Sequence, residues 1–150
     1  PDWTTDRREQ GYLQALRAHD LTPLPISRFV HLQHDMAAGY EAMSELLKQT
    51  PRPTAVLAFN DLMALGAYRK AREIGLRIPE DLSIIGIDNT EMAATWEVPL
   101  TSVDPSPDVL AHLAVNVLMH RIEHIEETRY QKIALHPNLV VRSSCCPPPA

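Results

Sequence analysis

Two short apolar runs separated by a single helical pattern leave this chain few possible architectures. "TAVLAFN" (Thr54–Asn60) and "SIIGI" (Ser83–Ile87) lack polar alternation. Each therefore reads as a strand buried on both faces, the mark of a parallel sheet sandwiched between helices. Between them Leu62, Leu65, Tyr68 or Arg69 and Ile74 recur at helical spacing, with Asp61 suited to the helix start and Gly75 to a left-handed stop. Gly86 allows close approach of another backbone to the second strand. Strand alternating with helix makes the chain α/β.

The alternation extends in both directions. Asp6–Ala18 is predicted to be helical on Tyr12, Leu13 and Leu16, and Ile26–Leu32 reads as a short strand. Met36, Tyr40, Met43, Leu46 and Leu47 mark a second helix, closed by "TPRP". "LTSV" (Leu100–Val103) is a further strand. Ser106-Pro107 then supplies a cap and a first-turn proline for a helix whose Leu110, Leu113, Ala114, Val117, Leu118, Ile122 and Ile125 form one stripe. "KIAL" and "NLVV" read as closing strands, and "CCPPPA" (145–150) as a frayed tail outside the fold.

At 150 residues the chain is about one domain long, and 45% hydrophobic with 22% charged residues is a soluble composition. No apolar stretch approaches the roughly 18 residues of a membrane span. A net charge of -5, spread along the chain, argues against these residues gripping DNA. Adjacent Cys145 and Cys146 close a strained ring if bridged, which favours a reducing, cytoplasmic setting. Nucleophile-elbow, dinucleotide and phosphate-loop motifs are absent, and only five glycines occur. His120 and His124 stand four apart like helical metal ligands, but no third ligand is specified, and a solvated helix face explains them better. Glu126-Glu127 reads as a helix-end charge pair. No enzyme, metal or cofactor is expected.

Both apolar runs end in an amide and an acid: Asn60-Asp61 and Asp88-Asn89. Ligands of open parallel sheets bind beyond the carboxyl ends of the strands. An amide and a carboxylate converging there would hold a small polar ligand by its hydroxyls or ring nitrogens. The same letters serve as readily to cap a helix and make a turn.

"FNDLMALGAYRKAREIGLRIPEDLSIIGIDN" resembles the effector-binding domain of the lactose-repressor-like (LacI/GalR) family of bacterial transcription regulators, in its N-D-x-x-A-x-G stretch followed by G-L-x-x-P-x-D-x-S-[IV]-x-G-x-D. The likeness continues through "RREQGY", "AAGYEAMSELL", "PLTSVDPS" and "LVVRSS". It implies a periplasmic-binding-protein-like (type I) fold, here a fragment of a two-lobed clamp. Residues 1–144 would be its C-terminal part, mainly the second lobe, with 104–130 crossing back to the first. The DNA-binding headpiece would lie outside this chain, which opens on Pro1-Asp2-Trp3 as if cut from something longer.

By the same resemblance Arg8, Asn60 and Asp88 are effector contacts. His34 stands where many relatives carry a stacking aromatic, and "DPSP" where several carry glutamine. Trp96 falls on the implied dimer surface. The implied partners are a sugar first, with a purine or another metabolite as alternatives, operator DNA through the headpiece, and a second copy of the chain. A sugar-binding transport protein of the same fold is the alternative function. Half a clamp would bind effector weakly and expose apolar inner faces.

Overall fold

The computed structural model describes residues 3–23, 33–126 and 132–148. The strand expected at Ile26–Leu32 lies outside them. Among the described residues five helices and four strands follow in order: α1 (Trp3–Ala18), α2 (Met36–Leu46), β1 (Ala55–Leu57), α3 (Asp61–Glu73), β2 (Ser83–Ile87), α4 (Glu91–Thr95), β3 (Thr101–Asp104), α5 (Pro107–Glu123) and β4 (Asn138–Val140). The sheet order is β1-β2-β3-β4; the first three strands run parallel and β4 pairs antiparallel with β3. The expected parallel sheet is therefore mixed, and Lys132–Leu135 forms no strand.

The helices form where local chemistry directs. Asp35 caps α2 by accepting the Ala38 N–H at 2.9 Å, and Gly75 ends α3 with φ of 81°. After Gly75 the chain turns through an exposed pair in which the Arg77 guanidinium and backbone N–H hold the Asp81 carboxyl well below the usual carboxylate range. Ser106 stands at the N-cap of α5, but its φ is 56° and its side chain makes no capping bond. Asp104 Oδ1 instead accepts the Ser106 N–H at 2.7 Å, which fixes the turn before α5 without capping it.

The core lies between one sheet face and the α2–α3 pair, around Met43, Ala64, Ala67, Ala71, Leu82, Ile84 and Leu100. Burial alternates along β2: Ile84 and Gly86 are enclosed, whereas Ile85 and Ile87 stay partly open, and Leu57 of β1 is 46% exposed. Among the described residues, then, only one face of the sheet is packed, unlike the sandwich expected from composition. Helix α5 buries none of its residues, and its stripe, including Leu110, Leu118 and Ile122, faces outward.

The ordered chain also passes the expected start of the tail. Ser144 is buried between β2 and β3, accepting the Thr101 N–H at 2.8 Å, while its backbone carbonyl accepts the Ile84 N–H at 2.9 Å. Cys146 continues the contact, its N–H donating to Ser83 Oγ at 3.2 Å. No described helix is long and apolar enough to cross a membrane.

Candidate functional site

Strands β1 and β2 are neighbours in the register Leu57↔Ile85. Asn60 and Asp88 lie just beyond the carboxyl ends of these two strands, each three residues past that pair. Asp88 is exposed and adopts φ of 112°, followed by Asn89 at 50°. Such backbone costs on the order of 1 kcal/mol or more per residue and persists only where its surroundings over-determine it. Here the Asp88 N–H donates to the Val103 carbonyl at 2.9 Å, the Asn89 N–H to Ser102 Oγ at 3.0 Å, and the Thr90 N–H to Asp61 Oδ2 at 2.8 Å. Among the described residues the Asp88 carboxylate accepts no hydrogen bond. Partial burial pushes its pKa up, the Asp61 charge adds to the rise, and Arg8 opposes it.

Arg8 and His34 meet on Phe59. The Arg8 guanidinium carbon lies 4.2 Å from the Phe59 ring centroid, and Nη1 donates to the Phe59 carbonyl at 2.6 Å. The His34 ring stacks on the same ring at 4.1 Å. Asn60 is engaged as a structural group: Oδ1 accepts the Met63 N–H at 2.8 Å, capping α3, and Nδ2 donates to the His34 carbonyl at 2.9 Å. An amide offers two donors and two lone pairs, so one of each remains. Phe59 was not singled out from the sequence, although an aromatic directly before Asn60 in "AFN" was the available signal.

Asp61 starts α3 as expected, but Asn60 is its cap, and the Asp61 side chain is turned into the core at 2% exposure. It accepts Ser102 Oγ at 2.7 Å, the Thr90 N–H at 2.8 Å and Thr90 Oγ1 at 3.0 Å. Gly86 makes room for it: a Cβ there would stand 2.2 Å from Asp61 Oδ1 and 2.7 Å from Leu100. The close approach at Gly86 is therefore by side chains, not by a backbone.

Trp96 is half-buried, its ring 5.9 Å from that of Tyr68, and among the described residues its sealed Nε1–H has no acceptor. The rings of His120 and His124 lie 4.3 Å apart, and no group of three or more metal-ligating side chains occurs among the described residues.

This geometry has relatives. A family model for the periplasmic binding protein-like domain matches residues 1–145. The HTH-type transcriptional repressor PurR of Haemophilus influenzae is 39% identical over 143 residues, 94% of this chain and 42% of the relative. PurR of Edwardsiella ictaluri is 40% identical over 91% of this chain and 40% of its own length. Among solved structures, a LacI-type transcription regulator from Bifidobacterium animalis superposes with a TM-score of 0.87 at 32% identity, covering 95% of this chain and 51% of that one. The transcriptional regulator CelR in complex with cellobiose gives 0.83 at 34% identity, over 91% of this chain and 41% of that chain. A LacI-family regulator from Enterococcus faecium with bound ribose gives 0.82 at 31%, over 93% and 51%.

The chain belongs to the periplasmic binding protein-like domain family. Within that family it is homologous to the LacI-type transcription regulators, which are not enzymes. It spans about two-fifths of the length of the PurR relatives.

Proposed function

We propose that this chain is the effector-sensing part of a LacI/GalR-type transcription regulator, in which a small polar ligand bound between two lobes controls operator binding by a headpiece outside these residues. The observation that carries this reading is the Asp88 carboxylate, without a hydrogen-bond donor among the described residues and held on strained backbone at the sheet rim within the field of Arg8. A ligand hydroxyl or ring N–H is the donor such an acceptor lacks, and Arg8 with the spare half of the Asn60 amide supplies complementary contacts. His34, stacked on Phe59, contributes a ring where a ligand face would lie. Solved relatives that carry cellobiose and ribose support a sugar as the first ligand class, with purines or other metabolites as alternatives.

In this reading the chain is mainly the second lobe, and residues 104–130 return to the first, which accounts for an α5 without a buried residue. Trp96 serves a homodimer interface, the setting is cytoplasmic, and neither catalysis nor a cofactor is involved. The named repressor relatives favour regulation over transport.

Isothermal titration of the complete regulator with D-ribose, cellobiose and a purine base tests the assignment. Charge-assisted hydrogen bonds contribute about 1.5–3 kcal/mol each, so Asp88→Ala is expected to weaken the ligand that binds by roughly 10- to 100-fold while operator DNA is still bound. Unchanged affinity in this variant would remove Asp88 from the site.

The pH dependence has a definite sign. A carboxyl raised in the fold favours the folded state at low pH, and its ionisation withdraws that contribution as pH rises through the raised value. A ligand that donates to ionised Asp88 reverses this locally. Affinity should therefore increase as pH rises through the Asp88 transition, with proton release on binding that Asp88→Asn abolishes; titrations in buffers of different ionisation enthalpy measure it.

A further inference from the structure

The left-handed pair Asp88-Asn89 is fixed from a direction the ligand reading does not use. Arg142, just beyond β4, donates from its backbone N–H to Thr101 Oγ1 at 3.0 Å and from Nη1 to the Leu100 carbonyl at 2.7 Å. Its Nη2 reaches Asn89 Oδ1 at 2.6 Å. The other end of the same amide, Nδ2, donates to Asp104 Oδ2 at 3.3 Å. Asp104 Oδ1 takes the Ser106 N–H at 2.7 Å, and the Ser106 carbonyl receives the Leu110 N–H in the first turn of α5 at 3.0 Å.

The Arg142 and Asn89 donors both point toward the Asp104 carboxylate, which the Ser106 N–H meets from the helix side, an arrangement in which neighbouring hydrogen bonds polarise one another. The amide at position 89 fits because it accepts at one end and donates at the other. Aspartate there would set a second carboxylate against Asp104. The far end of the chain matters because α5 buries none of its residues. The direction in which it leaves the sheet is thus set by the turn at Asp104–Ser106, where Ser106 has φ of 56°.

We infer that Arg142, Asn89 and Asp104 form a positioning network that holds the backbone of Asp88 and couples it to the turn from which α5 departs. Arg142 and Asn89 are positioning residues: they act on a ligand through Asp88, and on α5 through Asp104. The functional meaning rests on the effector reading of Asp88, but the network can be tested without a ligand.

Amide hydrogen exchange followed by NMR on the 150-residue chain is the experiment, with Arg142→Met, Arg142→Lys and Asn89→Gly as variants. Glycine at 89 accepts positive φ freely, so that variant removes the bridge and spares the backbone. In Asn89→Gly the Ser106 amide is expected to exchange about tenfold faster, the effect of one net hydrogen bond. In Arg142→Met the Asp88, Asn89 and Ser106 amides should all accelerate by a similar factor, with partial recovery in Arg142→Lys. The Ala64 and Ala67 amides of α3 should keep their rates in each variant.

An unchanged Ser106 rate in Asn89→Gly overturns the coupling. An equal acceleration at Ala64 and Ala67 overturns it too, since that outcome means general destabilisation. If Arg142→Met does not fold, Asn89→Gly decides alone. Failure of D-ribose, cellobiose and the purine base to bind the complete regulator would count against the effector reading, while the exchange rates would still decide the network.

Discussion

Replacing Asp61 with alanine is expected to remove on the order of 4 kcal/mol of stability, a large part of what a domain of this size possesses. The carboxylate is 2% exposed and accepts three hydrogen bonds, from Ser102 Oγ, the Thr90 N–H and Thr90 Oγ1. Deleting it leaves the fully buried Ser102 hydroxyl proton without that acceptor and opens a void against Gly86. It also frees the loop that follows Asp88. Asp61→Asn keeps the shape and one acceptor but turns an amide toward donors, so its loss should be intermediate. Thermal unfolding followed by circular dichroism measures both. A midpoint within about 2 °C of the parent for Asp61→Ala would show that the buried carboxylate is not what joins α3, β3 and the rim loop.

Gly66→Ala is the second large effect. In an exposed helix this change would gain about 1 kcal/mol of helix propensity. Here the added Cβ would lie 2.0 Å from the Met36 carbonyl oxygen and 2.6 Å from the Tyr40 nitrogen. Gly39 is placed reciprocally: a Cβ there would be 2.1 Å from the Met63 carbonyl oxygen. These obstacles are backbone atoms, so no rotamer change relieves them, and the helices must separate along the seam that buries Met43 and Ala64. Overpacking costs of this kind reach about 3 kcal/mol, a fall of roughly 10 °C in midpoint. Gly11→Ala is the control, because nothing lies within 4 Å of that position. It should be neutral or slightly stabilising. Equal behaviour of the two variants would refute the tight α2–α3 crossing.

The two predictions differ in how visible their causes were. Leu62, Leu65 and Ile74 announced α3 by spacing, and Gly75 announced its end, because helix periodicity and a left-handed stop are local properties of the chain. Asn60 and Asp88 were expected just beyond the carboxyl ends of two parallel strands, and β1 and β2 are parallel neighbours in the register Leu57↔Ile85. What the letters Asn60-Asp61 would each do was not legible. Either residue suits a helix start, and only the arrival of Ser102 and Thr90 distinguishes the capping amide from the buried acid. Helix α5 was read from its stripe, but amphipathic spacing says nothing about what covers the apolar face, and none of its residues is buried.

Taken alone, the order of residues determined the α/β alternation, the ends of the central helices and the position of an acid at the sheet rim. These depend on side-chain periodicity and backbone preference over a few neighbouring residues. The tertiary structure decided which polar groups are spent and which are left over. Asp61 is satisfied by Ser102, 41 residues away, and Asn89 by Arg142, 53 residues away, whereas Asp88 keeps a carboxylate without a donor among the described residues. Partners so distant in sequence are chosen by strand register and helix crossing, and no local pattern encodes either.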